Sequence, residues 1–132
     1  MKKIILTISL LITIVFAITA QNNSVTLLQF EERAIDLGNV KHGDSIKSSF
    51  QFTNISQDTV YIDLVSSCDC TDTDWPRSPI LPGDKGEIKI TFNSEMKEES
   101  EVVDVDVYLL NEDPTTGNGI AEYLTYKYTL IK

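Results

Sequence analysis

Basic residues are scarce in this chain: 11 Lys and Arg stand against 20 Asp and Glu in 132 residues, a net charge of −9. Nucleic-acid phosphates and anionic lipid surfaces are held by clustered Lys and Arg, so neither is an expected partner. Histidine occurs once, at His42 in a His-Gly-Asp turn, and no Gly-x-Ser-x-Gly elbow is present. A serine triad therefore lacks its parts, and Cys68 or Cys70 as a hydrolytic nucleophile would need His42 as its base from across the fold. Zinc needs four ligands, and imidazole is the usual companion of thiolate at a soft-metal site. Here only carboxylates could complete a zinc set, and Cu(I) could use the two thiolates with Met96 as a third donor from a loop, with nothing in the sequence to bring it near the cysteines. Asp69, Asp72 and Asp74 suggest a hard-cation loop, but the glycine and distal glutamate of a calcium loop are missing, which favours solvated acids. Carboxylates are so abundant that their adjacency says little about acid–base chemistry. There are no internal repeats, low-complexity tracts or long linkers, and no dozen-residue window carries helical apolar spacing. The expectation is a single domain with no enzymatic activity and no cofactor.

The long apolar run lies at the start. Lys2 and Lys3 precede Ile4 to Ile18, which is interrupted only by Thr7, Ser9 and Thr13, and Ala20 is a small residue before Gln21. This is the layout of a secretory signal. A retained anchor is the alternative, but the run is short for a span of roughly 20 apolar residues. Ile18 is bulkier than the alanine usual at that distance from a cut, and no cysteine lies near enough to carry a lipid. Residues 1–20 are thus expected to be a signal peptide and residues 21–132 the folded domain, secreted or periplasmic, with no membrane span after signal removal. Loss of Lys2 and Lys3 takes the net charge from −9 to −11.

The remainder alternates with period two. Ile46, Ser48, Phe50 and Phe52 alternate with polar residues, as do Val60, Ile62 and Leu64, then Ile88, Ile90 and Phe92. Val103 to Leu109 and Leu124 to Leu130 repeat the pattern, and Val25 to Phe30 with Ala34 to Leu37 form a weaker opening pair. Each reads as a half-buried strand. Turn compositions at His42-Gly43-Asp44, Asn54 to Asp58, Pro82 to Gly86, Asn93 to Ser100 and Asn111 to Gly119 separate the runs. About seven strands result, the layout of an all-β, immunoglobulin-like sandwich, with a small closed barrel as the alternative. The apolar share of 42% is enough to fill such a core.

One stretch departs from this regularity: Ser66-Ser67-Cys68-Asp69-Cys70-Thr71, then Asp72-Thr73-Asp74-Trp75-Pro76, then Pro79-Ile80-Leu81-Pro82-Gly83. With Ile35-Asp36-Leu37-Gly38-Asn39-Val40, Phe50-Gln51-Phe52-Thr53-Asn54, Gly86 to Phe92 and Asn111-Glu112-Asp113-Pro114, it resembles a family of secreted bacterial immunoglobulin-like proteins of unknown function that carry a Cys-Gly-Cys-Thr motif at the end of a strand. The resemblance covers most of residues 21–132 and implies the same sandwich. Asp69 stands where that motif has glycine. If the position needs positive φ, Asp is a tolerable second choice.

Cys68 and Cys70 are the only cysteines, so in an oxidising compartment they pair with each other or stay as thiols. Residues two apart on a flat strand point to opposite faces, so pairing requires the strand to end or turn at Asp69. A bridge closing so small a loop is expected to be strained, easily reduced and of little entropic value. The pair is then a redox couple or a soft-metal site; the alternative is one buried structural cysteine beside a partly exposed one. Trp75 either closes the end of the core or meets a partner. The expected role is a binding or structural module whose protein partner, in the cell envelope, meets a strand edge or the loop from Ser66 to Gly83, with Asp69, Thr71, Asp74 and Trp75 as candidate contacts. Thiol-redox or soft-metal chemistry at Cys68 and Cys70 is the rival.

Overall fold

The computed structural model describes residues 25–132, so the expected signal peptide lies outside the described residues. Eight strands follow in chain order: β1 (Leu28–Phe30), β2 (Ala34–Lys41), β3 (Ser45–Asn54), β4 (Ile62–Ser66), β5 (Thr71–Asp74), β6 (Lys85–Asn93), β7 (Glu101–Glu112) and β8 (Gly119–Ile131). They form two four-stranded sheets, ordered β1-β3-β6-β5 and β2-β8-β7-β4. The pairings are antiparallel except β2 with β8. The opening segment serves both sheets: β1 pairs with β3, and after a short crossing β2 pairs with β8 of the other sheet. The fold is an all-β sandwich, as the alternating pattern implies.

The strands exist because each offers one apolar face. Phe50, Phe52, Ile88, Ile90 and Phe92 from the first sheet meet Val103, Val105, Val107, Leu124 and Tyr126 from the second, all buried. Phe92 packs against both inward tyrosines, with ring centroids 5.5 Å from Tyr126 and 4.3 Å from Tyr128. Asn54, buried at the end of β3, donates to the carbonyls of Asp58 and Ile80 and accepts from the Ser56 amide. It thereby ties the turn after β3 to the segment before β6, satisfying backbone groups the sheets leave unpaired.

Two strands break the simple alternation. In β4 the pairing steps from Ile62↔Leu109 to Leu64↔Tyr108, so Asp63 is an extra residue. Leu64, expected inward, is exposed, and Val65 takes the buried position. In β2 the register shifts between Asp36 and Asn39, where Gly38 has φ 73° and its amide donates to the Asp36 carboxylate. Ile35 and Leu37 pack against the core from one phase, and Val40 from the other. Each bulge inserts one residue and re-phases the strand, which a period of two cannot anticipate.

The count of eight exceeds the expected seven because β5 lies within the segment read as a loop. Its four residues, Thr71-Asp72-Thr73-Asp74, pair with β6 through Thr71↔Phe92 to Asp74↔Lys89. They contain no large apolar residue, so no hydrophobic alternation announces them.

Candidate functional site

The cysteines lie where the chain leaves β4, at the edge of one sheet, and crosses to β5, at the edge of the other. The strand ends at Ser66, and the Thr71 amide donates to the Cys68 carbonyl at 3.0 Å, closing a turn over Asp69 and Cys70. That turn brings the two side chains to the same side. Cys68 and Cys70 are joined as a disulfide with their Cα atoms 5.1 Å apart, inside the range a disulfide spans. Among the described residues no non-glycine residue has positive φ, so Asp69 makes no use of the left-handed conformation that a glycine would favour. The turn is held on both flanks: the Ser67 hydroxyl donates to the Asp104 carbonyl, and the Asn93 amide donates to the Cys70 carbonyl.

Behind the sulfurs are two hydroxyls. Thr71 Oγ1 is 3.2 Å from Cys68 Sγ and 3.6 Å from Cys70 Sγ. The Tyr126 hydroxyl is 2.5 Å from Thr71 Oγ1 and 3.8 Å from Cys70 Sγ. Tyr126 comes from β8, is fully buried, and its phenol is pushed above the usual range by burial, against the opposing pull of the Thr71 hydrogen bond. It remains a protonated donor at neutral pH. Sequence spacing could not connect a tyrosine 56 positions away to Cys70; period-two alternation does place Tyr126 facing inward, but not opposite a cysteine.

In front of the sulfurs is a cavity of about 360 Å³ lined by Cys68, Asp69, Cys70, Asn93, Glu95, Met96 and Lys97. The fold thus brings Met96 to the cysteines, on the loop between β6 and β7. Lys97 is ion-paired with Glu101 at 2.6 Å. That bond, above all, holds the Glu101 carboxyl below the usual glutamate range. Among the described residues no group of three or more His, Cys, Asp and Glu is arranged to hold a metal ion.

The other candidate contacts are divided by the strand's alternation. Thr71 is buried and turned to the sulfurs, whereas Asp69, Asp72 and Asp74 are exposed. Trp75 is half-buried and packs against the core, its ring covered by the Arg77 guanidinium at 3.7 Å from the centroid. Its indole Nε1 is buried without a hydrogen-bond partner among the described residues. The tryptophan therefore helps close one end of the sandwich beneath a cation.

Residues 28–118 match the family described as "Protein of unknown function (DUF1573)". The chain belongs to this family. The matched region runs from β1 into the β7–β8 connection and includes the whole cysteine turn. No curated protein matches the sequence. Among solved structures, this DUF1573 chain is similar to the ASH/PapD-like domain 7 of human CEP192, with TM-score 0.64 and 11% identity over 81% of this chain and 87% of that domain. It is also similar to a protein of unknown function from Porphyromonas gingivalis W83, with TM-score 0.64, 15% identity, and 81% and 50% of the two chains covered. The Vibrio cholerae VesB protease gives TM-score 0.63 at 10% identity over 79% of this chain but only 32% of its own. The DUF1573 chain thus spans about a third of VesB and half of the P. gingivalis protein. At these identities the likeness is one of fold, and it places the chain among immunoglobulin-like sandwiches. Among the described residues no helix is long and apolar enough to cross a membrane.

Proposed function

We propose that this DUF1573 chain is an exported, non-enzymatic binding module that meets a protein partner in the cell envelope through the segment from Ser66 to Gly83. The observation that carries this reading is the outer edge of β5, which pairs with no strand among the described residues. Asp69, Asp72 and Asp74 are exposed there, and the Arg77-capped Trp75 follows directly. An open edge offers backbone donors and acceptors to an added strand, while the flanking acids select against acidic partners and favour a basic segment. A photo-crosslinking residue at Asp72, with a matching one at the distant Thr129, tests this in the native cell envelope. A protein adduct identified by mass spectrometry from position 72 and absent from 129 supports the reading. The same adducts from both positions, or none from 72, overturn it.

A second reading is favoured by Cys68, Cys70 and the largely exposed Met96 lining one cavity. In this reading the pair cycles between disulfide and dithiol. The dithiol form, with the thioether, offers Cu(I) the soft donors it prefers. Transfer of Cu(I) from its bicinchoninate complex to the reduced protein, weakened by Met96→Ile, is the expected result. Equal transfer to the oxidised protein would count against it.

A further inference from the structure

Thr71 Oγ1 and the Tyr126 hydroxyl carry two protons, and their hydrogen-bond contacts are with each other and with the two sulfurs. One proton occupies the 2.5 Å contact between the oxygens. The other has only sulfur to meet. If Tyr126 donates to Thr71, then Thr71 donates to Cys68 at 3.2 Å in preference to Cys70 at 3.6 Å; in the reverse arrangement Tyr126 must reach Cys70 at 3.8 Å. The phenol is the more acidic hydroxyl and the first path is shorter, so the chain runs from Tyr126 through Thr71 to Cys68. A disulfide sulfur is a weak acceptor, whereas a thiolate is a strong one. The hydroxyl chain therefore gains most when the bridge opens with negative charge on Cys68.

We propose that Cys68 is the sulfur that leaves as a thiolate when an external dithiol opens the bridge, with Thr71 and Tyr126 as positioning residues that receive its charge. This rests on the thiol-exchange half of the second reading above. One thiolate of the dithiol attacks Cys70 Sγ, forming a mixed disulfide, and the electron pair of the broken Sγ–Sγ bond departs on Cys68. The reductant's second thiol, having lost its proton, attacks the reductant's own sulfur in the mixed disulfide. That closes the reductant's disulfide and frees Cys70, and the two protons given up by the reductant's thiols pass through solvent to Cys68 and Cys70, which completes the two-electron, two-proton transfer to the pair. Exchange is faster when the leaving sulfur is the more acidic one.

The charged groups around Cys68 do not supply this preference. Asp69, Glu95 and Lys97 line the cavity in front of it. A second hollow that Cys68 shares adds Glu101, Asp104 and Asp106 to Lys97. Lys97 and Glu101 are spent on each other. The remaining acids are at or near the surface, are screened by salt, and oppose a thiolate. The buried hydroxyl chain is what separates the two sulfurs.

The single-cysteine variants Cys70→Ser and Cys68→Ser, alkylated by iodoacetamide across pH, read each thiol alone. Cys68 is expected to titrate about one pH unit below Cys70. Thr71→Val should abolish the difference and the isosteric Tyr126→Phe should reduce it, so the test survives if one of these variants fails to fold. Cys68 titrating at or above Cys70, or a difference unchanged in the hydroxyl variants, overturns the assignment. In the wild-type protein, a monothiol trap should place the mixed disulfide on Cys70 by fragment mass spectrometry; placement on Cys68 overturns the leaving step. A bridge that stays closed in native buffer with excess dithiothreitol overturns the exchange reading itself. The alkylation arm has no bridge in it, so the two failures are distinguishable.

Discussion

Gly86 shows how closely single residues are fitted. It sits opposite Phe52 across the β3–β6 ladder, and a Cβ there would lie 2.5 Å from the Phe52 ring. Phe52 is itself buried in the core and cannot simply swing away. Gly86→Ala should therefore cost about 1–3 kcal/mol by overpacking. Gly119, with no atom within 4 Å of an added Cβ, is the control: Gly119→Ala should be neutral or stabilising by about 0.5 kcal/mol. Paired denaturant melts check both. Glu122 is a second sensitive residue, a buried carboxylate whose Oε2 is bonded to Arg33 at 2.8 Å while Oε1 has no partner. Arg33→Met strands that charge and should cost about 2 kcal/mol, below the roughly 3–5 kcal/mol of a fully buried pair because Arg33 is 43% exposed. Adding Glu122→Gln should recover part of the loss, which a double-mutant cycle by chemical denaturation measures. The inward place of Tyr126 was legible in the alternation of its strand. Its hydroxyl contact with Thr71, and hence with the sulfurs, was not, because it depends on how two sheets face each other rather than on any local spacing.

At the level of elements, the strands legible in sequence were those with large apolar residues on one face, such as β6 and β7. β5 carries no such signal because it is built from Thr and Asp and owes its pairing to β6, and the alternation turns Leu64 inward where the bulge at Asp63, by re-phasing β4, turns it out. The start of β7 carries the clearest pH dependence. Glu101 accepts from Lys97 Nζ and from the Tyr128 hydroxyl, while that hydroxyl also donates to the Glu99 carbonyl. Its carboxyl is held below the ordinary 4.5, chiefly by Lys97. A carboxyl that is more acidic when folded binds fewer protons in the native state than in the unfolded chain. Its contribution is therefore complete above the unfolded value and is lost as pH falls through the lower folded one. Acid titration of the melting temperature should show this loss below about pH 4.5, and Lys97→Met should flatten that part of the curve by lowering stability at neutral pH while leaving the acid end nearly unchanged. Equal acid sensitivity in both proteins would assign it to other carboxyls.

Across the whole molecule, strands far apart in sequence are neighbours, as β2 is of β8, and the chain crosses between the sheets at β1–β2, β2–β3, β3–β4, the cysteine turn between β4 and β5, and β6–β7. Such a topology makes one cooperative unit, since neither sheet can bury its face without the other. The disulfide contributes little to that unit. It bridges residues only two apart, and the chain-entropy relation gives about 1.5 kcal/mol for so small a loop, against about 3 kcal/mol for a loop of 15 residues. The turn is also held independently by the Thr71–Cys68 and Asn93–Cys70 backbone bonds and by the Ser67 hydroxyl on Asp104. Cys70→Ser should therefore remain folded, with a melting temperature lower by no more than about 10 °C. Trp75 is the chain's one tryptophan and packs against the core just past the end of β5, the strand that leaves this turn, so its fluorescence reports on that edge strand while far-UV circular dichroism reports on the sheets. In wild type and Cys70→Ser the two probes should give coincident unfolding curves in urea. A tryptophan transition that precedes the loss of β-structure only in the variant would mean that the bridge fastens a separately melting edge, and the pair would then be structural rather than free to exchange.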